Sequence, residues 1–263
     1  TLTPARGRCK GFWTSWRVTM REFLIFRLYG MMASWGDIAV GELRPTFDHP
    51  SRSAIVGLLA AALGIRRDEE EQLSALSNAC RIAIRVDAPG VLLRDYHTSQ
   101  VPPAGRGRKK RSFATRKEEL AIPREDLSTV LSTRDYRCDA VSTVCVESAP
   151  CSLADLANAL NNPVFVLYLG RKSCPPALPV YAQVVRGENL AAAFSSARFP
   201  DGDLLQGLLG DGDLRVFWEG DEDAGIPAIQ TTLRYDNPLS RKRWQFGSRA
   251  EHYGVLRGGS SCT

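Results

Sequence analysis

Apolar residues fall into short blocks with two different periods, separated by glycine, proline and charge. Glu22–Tyr29 (EFLIFRLY) is a continuous apolar run closed by Gly30, the pattern of a buried strand. Between Ala54 and Leu63, the residues Ile55, Leu58, Leu59, Ala62 and Leu63 recur at helical spacing. Pro50 with Ser51 or Ser53 marks the start of that helix and Gly64 its end. Arg81–Asp87 (RIAIRVD) alternates apolar and polar residues and predicts a half-exposed strand. Cys138–Glu147 reads as another strand, and Ser152–Asp155 as the capped start of a helix running to about Leu160. Phe165–Leu169 and the turn GRKSCPP then lead to a strand at Val180–Arg186. The remainder predicts a short helix near Glu188–Ser195 and strands near Leu214–Trp218, Ile229–Tyr235 and Trp244–Leu256. No internal repeat is visible.

Up to Arg186 the order is strand, helix, strand, strand, helix, strand. This is the split βαβ plan of ferredoxin-like folds, which RNA-recognition (RRM-like) domains also use. Residues 99–135 interrupt it. Pro102, Pro103, Gly105 and Gly107 lead into a basic run with few periodic apolar positions. That composition predicts an arm inserted between the second and third strands, ordering on binding. The expected architecture is α+β: a ferredoxin-like domain over residues 20–187 carrying the arm, then a smaller β-rich C-terminal region over 188–263. Met20 opens the first apolar stretch, so residues 1–19 read as a disordered extension.

Composition places the chain among ordinary folded proteins, with 44% apolar and 24% charged residues in 263. The longest apolar run, Ala54–Ile65, is too short to cross a bilayer. Arg21, Glu22 and Arg27 break up any signal-peptide core, so a cytoplasmic location is expected. The seven cysteines form no CxxC pair, and Cys138, Cys145 and Cys151 lack metal-ligand spacing. They read as reduced, packed thiols, and neither metal nor cofactor is expected. The net charge of +5 is unevenly spread. Residues 1–19 carry Arg6, Arg8, Lys10 and Arg17 without an acid. The run 105–117 carries Arg106, Arg108, Lys109, Lys110, Arg111, Arg116 and Lys117, also without one. The rest of the chain is therefore net negative. A positive arm on an acidic body suggests a polyanion contacted at a defined place, although a solvated loop has the same composition.

Residues 23–36 (FLIFRLYGMMASWG), 44–68 (RPTFDHPSRSAIVGLLAAALGIRRD), 93–98 (LRDYHT), 134–139 (RDYRCD) and 167–175 (LYLGRKSCP) resemble, in that order, the CasD subunits of type I-E CRISPR Cascade complexes. Residues 246–249 (FGSR) add a weaker match. CasD subunits belong to the RAMP superfamily of RNA-binding proteins. The chain departs from them in its first 19 residues, its strongly basic arm and the acidic, glycine-rich segment Asp201–Asp223. The resemblance implies a non-catalytic protein that caps the 5′ handle of the guide RNA (crRNA). It also implies a thumb that folds over the guide and packs on the backbone subunit (CasC), with the large subunit (CasA) docking beside it. A separate subunit would cut the precursor, and whether the thumb touches target DNA stays open.

The candidate site residues follow from their chemistry and from this resemblance. Gly170-Arg171-Lys172-Ser173 falls where a RAMP domain carries its glycine-rich loop. Gly170 would let the backbone approach RNA, Arg171 would fork onto a phosphate or base edge, and Lys172 would supply a point charge. A tight turn with two solvated cations is the plainer alternative. Ser51, Arg52 and Ser53 open the first helix, where free N–H groups suit a phosphate, although serine is also a good cap. Tyr96 and His97 could meet an unpaired base and a phosphate, or anchor the thumb by hydrogen bonds. Tyr168, Arg94 and Arg249 stand in matched stretches and are taken as RNA-binding with them. Trp35 reads as packing rather than as a base platform. One rival is a metal-free ribonuclease that cuts precursor RNA, with Tyr96, His97 and Lys109 or Lys110 supplying base, acid and cation. A DNA-binding protein with a basic arm is another, but nothing here resembles a groove-reading helix.

Overall fold

The apolar run near the start of the chain forms β1 (Arg21–Tyr29), the strand on which the rest of the main sheet is built. The computed structural model describes residues 20–103, 112–210, 212–220 and 223–257. The extension 1–19 and the thumb cations Arg106, Arg108, Lys109, Lys110 and Arg111 lie outside the described residues. After β1 come β2 (Met32–Ala33), β3 (Leu43–Arg44), α1 (Arg52–Leu63), α2 (Glu70–Ala79), β4 (Arg81–Ala88) and β5 (Val91–Val101). A short α3 (Arg116–Glu119) precedes β6 (Ser128–Cys138), β7 (Val141–Ser148), α4 (Leu153–Asn161) and β8 (Gln183–Gly187). The chain closes with α5 (Leu190–Ser196), α6 (Gly202–Leu205), β9 (Leu214–Trp218), β10 (Gln230–Ser240) and β11 (Gln245–Leu256).

Seven strands form one antiparallel sheet in the order β10-β11-β9-β4-β7-β1-β8. The β-rich C-terminal stretch therefore extends the same sheet from the free edge of β4. Helices α1 and α4 cover one face, where Leu24, Phe26, Ile82, Ile84, Val144 and Val146 meet Ile55, Leu59, Leu156 and Leu160. On the other face Phe23, Ile25, Ala83 and Cys145 meet Leu190, Ala193 and Phe194 of α5. Burial from both sides explains why β1 carries an unbroken apolar run. It also corrects the half-exposed reading of β4, whose interior residues are buried on both faces apart from the half-buried Arg85. Arg85 remains there because its guanidinium bonds Asp87 and the Phe194 carbonyl.

The predicted ends of α1 hold: Ser51 Oγ accepts from the Ala54 N–H and Gly64 closes the helix at φ 78°. Ser152 caps α4, as the sequence suggests: its hydroxyl accepts from the Asp155 N–H and donates to the Asp155 carboxylate. Helix α2 is missing from the sequence reading: its apolar pattern is short, Leu73 and Leu76, and only Leu76 and Ser77 of it are buried. The fourth strand of the βαββαβ series starts at Gln183, three residues later than its apolar pattern suggested.

The arm proves to be a continuation of the β4–β7 pair. Both strands turn a corner together, at Gly90 (φ 62°) and Asp139 (φ 55°), and run on as the ribbon β5–β6. A Cβ at Gly90 would stand 2.4 Å from the Cys138 carbonyl oxygen, so only glycine fits this corner. The strand read at Cys138–Glu147 is β7, which starts at Val141, while Cys138 itself ends β6. The ribbon pairs Val91–Val101 with Ser128–Cys138 in continuous register, so the regular arm is longer than residues 99–135. Strands β2 and β3 flank the other edge of β6.

Buried charge fastens the C-terminal hairpin to the helices. Arg52, 6% exposed, hydrogen-bonds the carbonyls of Ser77 and Cys80, the Glu219 carboxylate and Asn237 Oδ1. Its backbone N–H donates to Asp236 Oδ2 at 2.8 Å. Asp236 also takes a bidentate pair from Arg249 at 2.7 and 3.0 Å. Glu251 receives Arg234 and Arg249, and His49, stacked on Phe217 at 3.7 Å, bridges Asp48 and Glu251. The outer face of β10 leaves Leu233 and Tyr235 exposed.

Asp236→Ala removes the two-pronged acceptor of Arg249, which keeps only Glu251 and the more distant Glu219, and leaves the first N–H of α1 without its side-chain acceptor. It should cost about 3–5 kcal/mol and lower Tm by roughly 10 °C, measured by calorimetry. The network also has a pH signature. Burial alone would push the Glu251 carboxyl up, but the His49 hydrogen bond and the charges of His49, Arg234 and Arg249 hold it at about 2, below its ordinary 4.5. A depressed carboxyl stabilises the fold above its unfolded value and loses that stabilisation as pH falls from about 4.5 towards 2. Glu251→Gln should flatten the Tm-versus-pH curve across that window, and an unchanged slope would contradict this assignment.

Candidate nucleic-acid interface

Residues 167–174 form an irregular loop pinned at both ends. Leu167, Leu169 and Cys174 are buried, the Leu169 N–H donates to the Cys174 carbonyl, and the Ser34 N–H donates to the Leu169 carbonyl. Gly170 sits at φ 81°, where a Cβ would stand 1.8 Å from the Ser34 carbonyl oxygen. The close approach for which Gly170 is needed is thus to the Ser34–Trp35 backbone, a correction to the expected approach to RNA. Trp35 is buried in the core, as its packing role required. Lys172 and Ser173 are exposed at the tip of the loop, and Tyr168 is 40% exposed. Arg171 lies 4.7 Å over the Tyr136 ring and donates to the Arg44 carbonyl, while its buried Nη1 has no partner among the described residues.

The loop meets the base of the ribbon at Asp135. Arg94 holds this carboxylate through two hydrogen bonds, at 2.9 and 3.1 Å. Arg171 and Arg137 add their charge, and together the three keep the carboxyl below the usual carboxylate range. Three guanidinium groups around one carboxylate leave net positive charge on a preorganised surface, where a phosphate can be received without reorganising long side chains. Arg137 was overlooked in the sequence, although it stands inside RDYRCD.

Neighbours along a strand point to opposite faces. Arg94 and Tyr96, which is 75% exposed, share the Asp135 face of the ribbon, and His97 projects from the other side. Tyr96 and His97 are therefore not brought together into one site. Arg116 is committed to Glu119, Ser99 Oγ and the Gln100 carbonyl, and Lys117 is exposed beside it.

Three assignments are corrected by burial. Ser51 is 3% exposed, with its hydroxyl capping α1 and donating to the Trp35 carbonyl. Arg52 and Arg249 point into the charged network, and Asp236 occupies the helix N-terminus that would suit a phosphate. Ser53 is half-buried; its carbonyl accepts from Arg241 and its hydroxyl lies 3.2 Å from that of Ser51. Among the described residues no cluster of three metal-ligating side chains forms.

The family model described as CRISPR-associated protein (Cas_Cas5) matches residues 23–250. The chain is 32% identical over 251 residues to the CRISPR system Cascade subunit CasD of Escherichia coli (strain K12), covering 91% of this chain and 98% of that one. Among solved structures, a chain of a CRISPR RNA-guided surveillance complex superposes with a TM-score of 0.58 and 28% identity, over 90% of each chain. A crystal structure of a Cas protein gives 0.56 and 29%, over 90% of this chain and 95% of that one. Fold and matches together define the class, a CRISPR-associated protein. Within that class, the chain belongs to the Cas5 family.

Gly170→Ala must push its methyl into the Ser34 backbone. It should lower Tm by roughly 5 °C or more and expose the buried Trp35 to a fluorescence quencher. A variant with wild-type Tm would show that the loop does not depend on this contact.

Proposed function

We propose that the protein is the subunit of a type I-E Cascade complex that binds the 5′ handle of the guide RNA without cutting it. The observation that carries this reading is the end-to-end similarity to a Cascade subunit, with 98% of that relative's length covered. The structure supplies matching chemistry. Arg94, Arg137 and Arg171 around Asp135 form a preorganised phosphate receiver, Lys172 adds an exposed point charge, and Tyr96 offers an exposed ring for an unpaired base. The βαββαβ series with sheet order β4-β7-β1-β8 supports a ferredoxin-like core of the RAMP kind. The ribbon β5–β6 is the thumb. Its exposed Leu92, Leu93, Val130 and Leu131 suit packing on the backbone subunit, and the large subunit would dock beside it.

The non-catalytic part of the reading rests on geometry. Metal-free cleavage needs base, acid and cation converging on one phosphate. Tyr96 and His97 leave opposite faces of one ribbon, which argues against their sharing that task.

Incubated with repeat-containing precursor RNA and no metal, the purified protein should bind the RNA and leave it intact. Specific cleavage at the repeat, lost in His97→Ala, would overturn this. Lys172→Gln should weaken binding and flatten the salt dependence by about 0.7 in slope, the contribution of one phosphate contact to a single strand. Identical slopes would remove the loop tip from the interface.

A further inference from the structure

The turn from β10 to β11, Arg241–Trp244 (RKRW), plays no part in the site at the ribbon base. Trp244 has a left-handed backbone (φ 56°), a conformation that disfavours a bulky side chain, yet its indole is 60% exposed. The guanidinium groups of Arg67 and Arg241 lie 5.4 and 5.8 Å from the centre of this one ring. Neither has a carboxylate at ion-pair distance among the described residues. Arg241 is laid across α1, where its Nη2 donates to the Ser53 carbonyl and fills the space above Gly57. Burial and the like charge of Arg67 both disfavour its cationic form, with only Tyr168 opposing them. The turn is held in place by Ser240, whose hydroxyl donates to Glu70 and accepts from the Arg243 N–H at 3.1 Å.

Two mutually repelling guanidinium groups beside a solvent-facing indole leave a charge deficit next to a stacking surface. A nucleotide satisfies both at once: its phosphate neutralises the cations while its base covers the ring. An acidic peptide would answer the cations but leave the indole open. We propose that Arg67, Arg241 and Trp244 form a second nucleotide subsite that takes one phosphate and one unpaired base of single-stranded RNA. This rests on the RNA-binding reading above. Tyr168 links the two places: it lies near Arg241 and stands two residues before Gly170. A strand bound at the ribbon base would pass over Tyr168 to reach Trp244.

The test is fluorescence anisotropy of a labelled 12-nucleotide oligouridine RNA, and of DNA of the same sequence, with the full chain. Trp244→Gly relieves the left-handed turn, so Tm should hold or rise while RNA affinity falls about tenfold, the loss of one stacked base. Arg67→Gln should weaken binding severalfold and reduce the salt slope by about 0.7. DNA should show the same proportional losses, because stacking and phosphate pairing do not use the sugar; a loss confined to DNA would contradict the RNA assignment. If both variants bind RNA like the wild type while Lys172→Gln weakens it, the subsite is refuted and the RNA-binding reading stands. If the wild-type chain itself fails to bind RNA, both fall. If the variants lose only assembly with other subunits, the turn is a protein contact and the proposal is wrong.

Discussion

One buried guanidinium, that of Arg52, joins α1 to three parts of the chain that are remote from one another in sequence. It binds the last turn of α2, the residue before β4, the carboxylate of Glu219 just after β9, and Asn237 in β10. A buried charge is tolerated only when its hydrogen bonds are complete, so the elements that satisfy Arg52 are constrained to one arrangement. Asp236 repeats the constraint from the other side by accepting the Arg52 N–H and the Arg249 fork. Through this lattice the hairpin β10–β11 is pinned across α1 and α2. The positions of Arg241 and Trp244 follow from that pinning.

A second constraint governs the arm. The corner at Gly90 and Asp139 lets a single pair of strands serve two environments: a sheet buried on both faces, and an exposed two-stranded ribbon. An isolated ribbon gains little from burial, so its base must be held by other means. Asp135 does this by gathering arginines from β5, β6 and the 167–174 loop. The charge that anchors the arm is also the charge of the proposed phosphate receiver, so on that reading structure and recognition share the same side chains.

Most of the strands and helices were legible in the sequence because apolar periodicity reports burial. β1, α1, α4, α5 and β9 all match their patterns. The signal failed where charge replaces apolar contact. Helix α2 has only a short apolar stripe, Leu73 and Leu76, to which Arg52 and Ser240 add polar anchors, and β6 was masked by a polar, exposed sequence. The candidate site divided along the same line. Exposed Lys172, Tyr168, Tyr96 and Arg94 remain available to a ligand, while Ser51, Arg52 and Arg249 turned inward. A helix N-terminus followed by arginine has the same sequence whether it receives a phosphate or an aspartate 184 residues away. RKRW was passed over because three cations and a tryptophan in a hairpin turn have no apolar period to draw attention to them.

On the proposed reading, single-stranded guide RNA lies along one surface, from the ribbon base across the 167–174 loop. Ultraviolet cross-linking of the assembled complex, followed by mass spectrometry of the cross-linked peptides, tests it most directly. Cross-links should fall in the peptides carrying Tyr96 and Tyr168–Lys172, with none on the Leu233–Tyr235 face of β10. Cross-links concentrated on that β10 face, with the ribbon base and loop unmodified, would contradict it.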